Sequence, residues 1–219
     1  MNYRAAAFGE QDLQLSIDEL LSSVVPVGDA PGLFVSANVN ILGTTDAYRV
    51  IEAGGKKIGI TAALAPEAVE RLTSELLEKS PLEESLEKIV KEMKDQGCDL
   101  LVLLSHGTVE QSQKLAEKFP AFHLTVTSGG AGEPKLVPDR TPGGMLVEVG
   151  TKGMFIGLVG LFDDPQQPLR YHRIAMTDAF EDSREMLDQF AAYQRQLQNL
   201  GLTGLGIKPL PHPSGNQFV

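Results

Sequence analysis

Short apolar runs and longer amphipathic stretches alternate along the chain. Residues 3–8 are a short apolar run closing at Gly9 and predict a first strand. Leu13, Ile17, Leu20, Leu21 and Val24 recur at helical spacing and predict a helix. Pro26, Gly28, Pro31 and Gly32 mark a loop. Residues 33–39 (LFVSANV) predict a strand, and residues 48–53 and 56–62 flank Gly54-Gly55 as a hairpin. Two helices are predicted next, over residues 66–79 and 81–96. In the second, Leu82, Leu86, Ile89, Val90 and Met93 share one face. Ser80 is its expected N-cap, with Pro81 at the first helical position, Glu83 completing a capping box and Gly97 ending it. Glu84/Lys88 and Glu87/Lys91 are expected as i,i+4 pairs on a solvated face.

Residues 100–104 (LLVLL) are apolar without alternation, as a strand covered on both faces would be. This buried central strand ends in Ser105-His106-Gly107. Thr108 is suited to cap a helix over 111–119, a strand follows over 122–126, and residues 128–134 form a glycine-rich loop. The chain then turns β-rich, with strands expected over 145–149, 154–161 and 169–176 and a closing helix over 181–200. Residues 201–219 are rich in Gly and Pro and read as a linker or docked tail after a domain spanning 1–200. This order fits an α/β sandwich with layered sheets better than a helical bundle or an all-β barrel.

Composition narrows the function classes. The length of 219 residues allows one large domain or two small ones, and 42% hydrophobic with 22% charged residues suits a folded chain. Lys and Arg number 19 against 29 Asp and Glu, and the net charge of −10 argues against nucleic acid as a partner. A single cysteine, Cys98, excludes an internal disulfide, a multi-cysteine metal site and a haem attachment site within this chain. No apolar run approaches the roughly 20 residues that span a bilayer. The first residues carry no signal-peptide pattern, so the chain reads as not exported without a leader.

Chemistry in α/β folds gathers at the C-terminal ends of strands. Three such points stand out: Gly9-Glu10-Gln11-Asp12, Ser105-His106-Gly107 and the loop from Ser128 to Glu133. A metal site drawn from them would use Glu10, Asp12, His106 and Glu133, a carboxylate and imidazole set suited to Mn²⁺, Fe²⁺ or Zn²⁺. The competing reading makes His106 a structural residue hydrogen-bonded at a strand end. His123 is expected to be packed or half-exposed in a strand, His172 to lie on a solvated face, and His212 sits between prolines. Ser105 and His106 are neighbours on a strand and so point to opposite faces, which makes them no nucleophile–base pair. There is no nucleophile elbow, P-loop or dinucleotide fingerprint.

The segments YRAAAFGEQDL, LFVSANV, YRVIEAGGKKIGITAAL, GCDLLVLLSHG and TSGGAGE, taken in order, resemble the calcineurin-like metallophosphoesterases, and their 5'-nucleotidase branch most. There the corresponding points read Gly-Asn-His-Glu, Ala-Asn-Val, a Gly-flanked hairpin, Leu-Ser-His and Gly-Gly-His-x-His. The match in order and rough spacing covers about residues 3–178, and KGMFIGLVGLF resembles the family's later strands. The resemblance implies an α-β-β-α sandwich of two mixed sheets flanked by helices, incomplete at its N-terminus, with a two-metal centre. It also implies a periplasmic or extracellular location. A further resemblance covers about the last 25 residues, ending HPSGNQFV, and is to the link between such domains and a multihaem c-type cytochrome domain, which would be the partner.

The departures bear on function. The family's first ligands, an Asp-x-His and a second Asp, have no counterpart here. The metal-binding Asn is replaced by Glu10 and the catalytic His by Gln11. Leu104-Ser105-His106 is kept, making His106 the one catalytic residue the resemblance carries over. Gly-Gly-His-x-His reads Gly129-Gly130-Ala131-Gly132-Glu133, without either histidine. Two metals about 3.5–4 Å apart are what clamp a phosphate ester and generate hydroxide. The expectation is therefore a degenerate domain without hydrolase activity, serving as a scaffold or partner-binding module. The alternative is a phosphomonoesterase or 5'-nucleotidase with a divalent metal in an altered site; a metal there and none are equally expected.

Overall fold

The structure, a computed structural model, describes residues 3–24 and 32–204. The chain divides into two units, Met1–Met176 and Thr177–Val219. Most of the predicted loop at 26–32, most of the tail at 201–219 and His212 lie outside the described residues.

The first unit is built on one mixed sheet. Its strands are β2 (Tyr48–Ala53), β3 (Lys56–Leu64), β5 (Leu100–His106), β6 (Leu124–Thr127), β7 (Asp139–Thr141) and β8 (Gly144–Glu148). Their order across the sheet is β2-β3-β5-β6-β8-β7. The middle four are parallel, and β2 and β7 run antiparallel at the edges. The apolar run at 100–104 is the start of β5, between β3 and β6, and Leu101 and Leu103 are 1% and 0% exposed. Gly54 and Gly55 both take positive φ, as the tight β2–β3 turn demands.

Alternation along β5 sorts the two faces. Leu101 and Leu103 pack with Leu86, Ile89 and Met93 of α3 (Leu82–Asp95) and with Phe119 and Phe122, which follow α4 (Val109–Lys118). Leu100 and Val102 join Leu124, Met145 and Val147 on the other face. That face is met by Val159, Leu161, Leu169 and Tyr171 from an antiparallel hairpin, β9 (Phe155–Leu161) and β10 (Leu169–Ala175). A mixed sheet flanked by helices and layered against a second, antiparallel pair of strands is thus present, in keeping with the layered α/β fold that the resemblance implies. A third core joins Phe8, Leu13, Leu20 and Val24 to β1 (Val39–Ile41), α2 (Pro66–Arg71) and Leu77 of β4 (Leu77–Lys79). Leu20 and Val24 belong to α1 (Ile17–Val24), and Leu13 to a preceding 3-10 turn (Asp12–Gln14).

Several local expectations are corrected. Residues 3–8 form no strand; Ala6 makes one isolated bridge to Phe34, and the Phe8 and Phe34 rings stack at 4.3 Å. The strand expected over 33–39 begins only at Val39. The helix expected over 66–79 stops at Arg71, because Leu72 turns extended and β4 then pairs with β1, burying Leu77 beside Ile41. Ser80 does not cap α3: its N–H donates to Asn38 O, and the N-cap is Pro81 with no side-chain cap bond. Lys88 pairs with Glu92 rather than Glu84. Thr108 caps α4 as expected, in a full capping box with Gln111, but the helix starts two residues earlier than the apolar pattern suggests. Strand β7 carries no apolar alternation, being Asp-Arg-Thr at an edge, and pattern alone passes over it.

The second unit holds α5 (Arg184–Gly204), interrupted at Gly201 where φ is 62°.

His123 lies just before β6, half-buried as expected, and its Nδ1 accepts the Leu101 N–H at 3.0 Å. Burial, helped by the Lys94 charge, holds the imidazole pKa below its ordinary value. The unfolded chain therefore takes up this proton more readily than the folded one. The stability gained from neutral His123 is complete above the ordinary histidine pKa of about 6.5 and is lost as pH falls below it. Asn places an oxygen near the Nδ1 position but does not titrate. Thermal melts at pH 7.5 and 5.5 should show wild type losing more than His123→Asn; an equal or smaller loss would contradict this account.

Candidate functional site

The parallel strands β3, β5 and β6 end together, and their last side chains divide between two faces. On the helix side, Ser105 Oγ lies 2.9 Å from Ser112 Oγ, which lies 2.7 Å from Thr127 Oγ1. A cavity of about 440 Å³ opens on this side, with Ser105, Leu82, Leu115 and Gln111 among its walls. His106 ends β5 and its imidazole meets the 9–12 segment and Ser128, so the expected opposition of Ser105 and His106 holds.

His106 is engaged at both ring nitrogens. Nε2 accepts the Glu10 N–H at 3.4 Å, and Nδ1 lies 3.0 Å from Ser128 Oγ. With Nε2 accepting, the proton belongs on Nδ1, where it is donated to Ser128. Gly9 permits this approach: a Cβ there would stand 3.2 Å from His106 Cε1 and 3.3 Å from Asp12 Oδ2.

Asp12 turns inward on its own segment, its Oδ2 accepting the Gly9 N–H at 2.7 Å. Glu10 is held by Arg71 from the last turn of α2, with Nε to Oε1 at 2.8 Å and Nη2 to Oε2 at 2.6 Å. This bidentate pair is the stronger form of a charge-assisted hydrogen bond. The Arg71 hydrogen bond lowers the Glu10 pKa, aided by the Arg71 charge and opposed by burial. Glu133 goes elsewhere: it pairs with Arg173 of β10 at 2.9 Å, and that guanidinium also lies over the Phe155 ring.

The structure therefore brings Glu10, Asp12 and His106 around Gly9 and takes Glu133 to the hairpin. Among the described residues, no three His, Cys, Asp or Glu side chains stand as a group that could hold a metal ion. The donors present do not fit a two-metal centre. Glu10 is neutralised by an arginine, Ala131 has no donor atom, and the His106 Nε2 lone pair faces a backbone N–H.

Sequence reasoning missed Arg71 and Arg173 as the partners of Glu10 and Glu133, and singled out Ser128 only as the start of the glycine-rich loop. Ser128 carried a signal, since it opens the glycine-rich loop at the end of a strand. Arg71 and Arg173 are distant in sequence from the carboxylates they bind, and nothing local announces them. The loop itself is closely packed: a Cβ on Gly129 would lie 2.4 Å from Gly107 O, and one on Gly130 would lie 2.3 Å from Glu148 Oε2.

No family model matches the chain, and no curated protein does. Solved structures do. A 5'-nucleotidase precursor from Thermus thermophilus superposes with a TM-score of 0.73 at 23% identity, over 90% of this chain and 44% of that one. A sulfate thiohydrolase from the same organism gives 0.65 at 19% identity, over 88% and 36%. A calcineurin-like phosphoesterase from Bacillus subtilis gives 0.65 at 15% identity, over 89% and 70%. The chain thus spans less than half the length of the Thermus nucleotidase. In fold, the chain is similar to the 5'-nucleotidases and the calcineurin-like phosphoesterase on which it superposes.

Proposed function

We propose that this chain is a metallophosphoesterase-fold domain that has given up two-metal hydrolysis and serves as a scaffold or partner-binding module. The observation that carries this reading is the fate of the candidate ligands, each of which is spent on a protein group. Glu10 and Glu133 neutralise arginines, Asp12 closes its own turn, and His106 ties the 9–12 segment to Ser128. A phosphate ester would meet no pair of cations to polarise it and no metal-bound hydroxide to attack it. The surface supports a binding role: Ile156 and Leu158 of β9 are 47% and 56% exposed on a strand that carries no charge and no proline. Such strands invite pairing with another chain unless covered. By family resemblance the partner is a c-type cytochrome domain and the location is periplasmic or extracellular.

The test is turnover. AMP and p-nitrophenyl phosphate, each with saturating Mn²⁺ or Zn²⁺, should be hydrolysed no faster than in buffer with the same metal. Metal-dependent turnover that disappears in His106→Ala would overturn the reading and establish a phosphomonoesterase with an altered site.

A further inference from the structure

The end of the central strand serves two faces, and the face away from His106 carries the larger recess. We propose that the cavity of about 440 Å³ on the helix side of the sheet binds a small amphipathic amine, with its apolar body against the helices and its protonated nitrogen donating to Ser105 and to the acidic rim. His106 meets the 9–12 segment and Ser128 on the opposite face, so the inference stands apart from the fate of the metal ligands.

Volume and lining set the body of the ligand. About 440 Å³ falls within the range of pockets that enclose small molecules. Ala63 and Ser105 come from β3 and β5, and Pro66, Leu82 and Leu115 bring apolar walls from α2, α3 and α4. Two side-chain links tie α4 to the other helices: Gln111 Nε2 donates to Glu67 Oε2 at 2.8 Å, and Lys118 pairs with Glu83.

Proton order at Ser105 sets the head group. Ser112 Oγ donates its one proton to Thr108 O at 2.9 Å, so it accepts from Ser105 and from Thr127. Ser105 therefore spends its proton on Ser112. Among the described residues nothing donates to Ser105 Oγ, although Ser105 is only 7% exposed. A buried oxygen with both lone pairs open calls for a donor. The charges agree. Lys114 and Lys118 are paired with Glu110 and Glu83. Among the described residues Glu84 has no ion-pair partner, and Glu67 keeps one oxygen open beside its bond from Gln111. An anion gains little from the start of α3, because Glu83 and Glu84 already complement its dipole there. The open groups of the cavity are thus acceptors, and carboxylates outnumber ammonium groups on its walls. That combination selects a cationic donor on an apolar body.

The probes are 4-phenylbutylamine, 4-phenylbutanol and 4-phenylbutyrate, which share a body and differ in the head. Binding to the full chain is read from backbone amide chemical shifts. The amine should saturate with shifts centred on Leu82, Ser105 and Leu115. It should bind about tenfold more tightly than the carboxylate, with the alcohol between them. Ser105→Ala should weaken amine and alcohol alike. Glu67→Gln with Glu84→Gln, both at exposed positions, should bring the amine to the alcohol's affinity. Circular dichroism melts check that the variants fold. No saturable shift, shifts centred elsewhere, equal affinity for the three probes, or tightest binding of the carboxylate would each overturn the proposal and leave the non-hydrolytic reading in place.

Discussion

Gly129→Ala is expected to cost about 2–3 kcal/mol, the upper part of the usual range for overpacking, because the site cannot give way. The new methyl would stand 2.4 Å from Gly107 O and 2.8 Å from both Thr108 C and Val109 N. All three are backbone atoms at the start of α4, anchored by the Thr108–Gln111 capping box. They cannot move aside as the tip of a flexible side chain can. The melting temperature should fall by on the order of 5–10 °C for a chain of this size. Gly132→Ala, in the same loop, is the control. Its Cβ would meet only Thr151 Oγ1, at 3.2 Å, so the change should stay within about 0.5 kcal/mol. Equal effects from the two substitutions would contradict the close packing of the 128–130 segment on α4.

Phe122→Ala should be more damaging still, by about 3–5 kcal/mol. The ring is 0% exposed and lies in the core formed by α3, β5 and the end of α4. It is also anchored from its backbone, the N–H donating to Phe119 O at 3.1 Å, which limits how far the site can collapse around a cavity. Urea denaturation should show the midpoint falling with the slope unchanged. A loss below about 1 kcal/mol would mean that the helical layer is not closed over this face of the sheet.

Much of the frame was legible because its signals are local. The Gly54-Gly55 hairpin, the unbroken apolar run of β5 and the Thr108 cap each rest on residues a few positions apart. So did the strand-end placement of His106 and the opposite direction of Ser105. Short pairings were not legible. β4 forms because Leu77 finds Ile41, and β7 because it closes on β8, neither of which leaves a period in the sequence. The site was legible in its residues but not in its state. Glu10 and Arg71 are separated by 61 positions, and Glu133 and Arg173 are joined only through the hairpin. A carboxylate in a sequence reads equally well as a ligand or as half of an ion pair. Only its neighbours in space decide between them.

The reading of this fold as one without its metal chemistry is tested most directly by metal content. Purified wild-type chain is incubated with Mn²⁺ and Zn²⁺, desalted, and analysed for bound metal beside His106→Ala. The account predicts no stoichiometric metal in either protein. Close to one or two ions per chain in wild type, lost in His106→Ala, would contradict it.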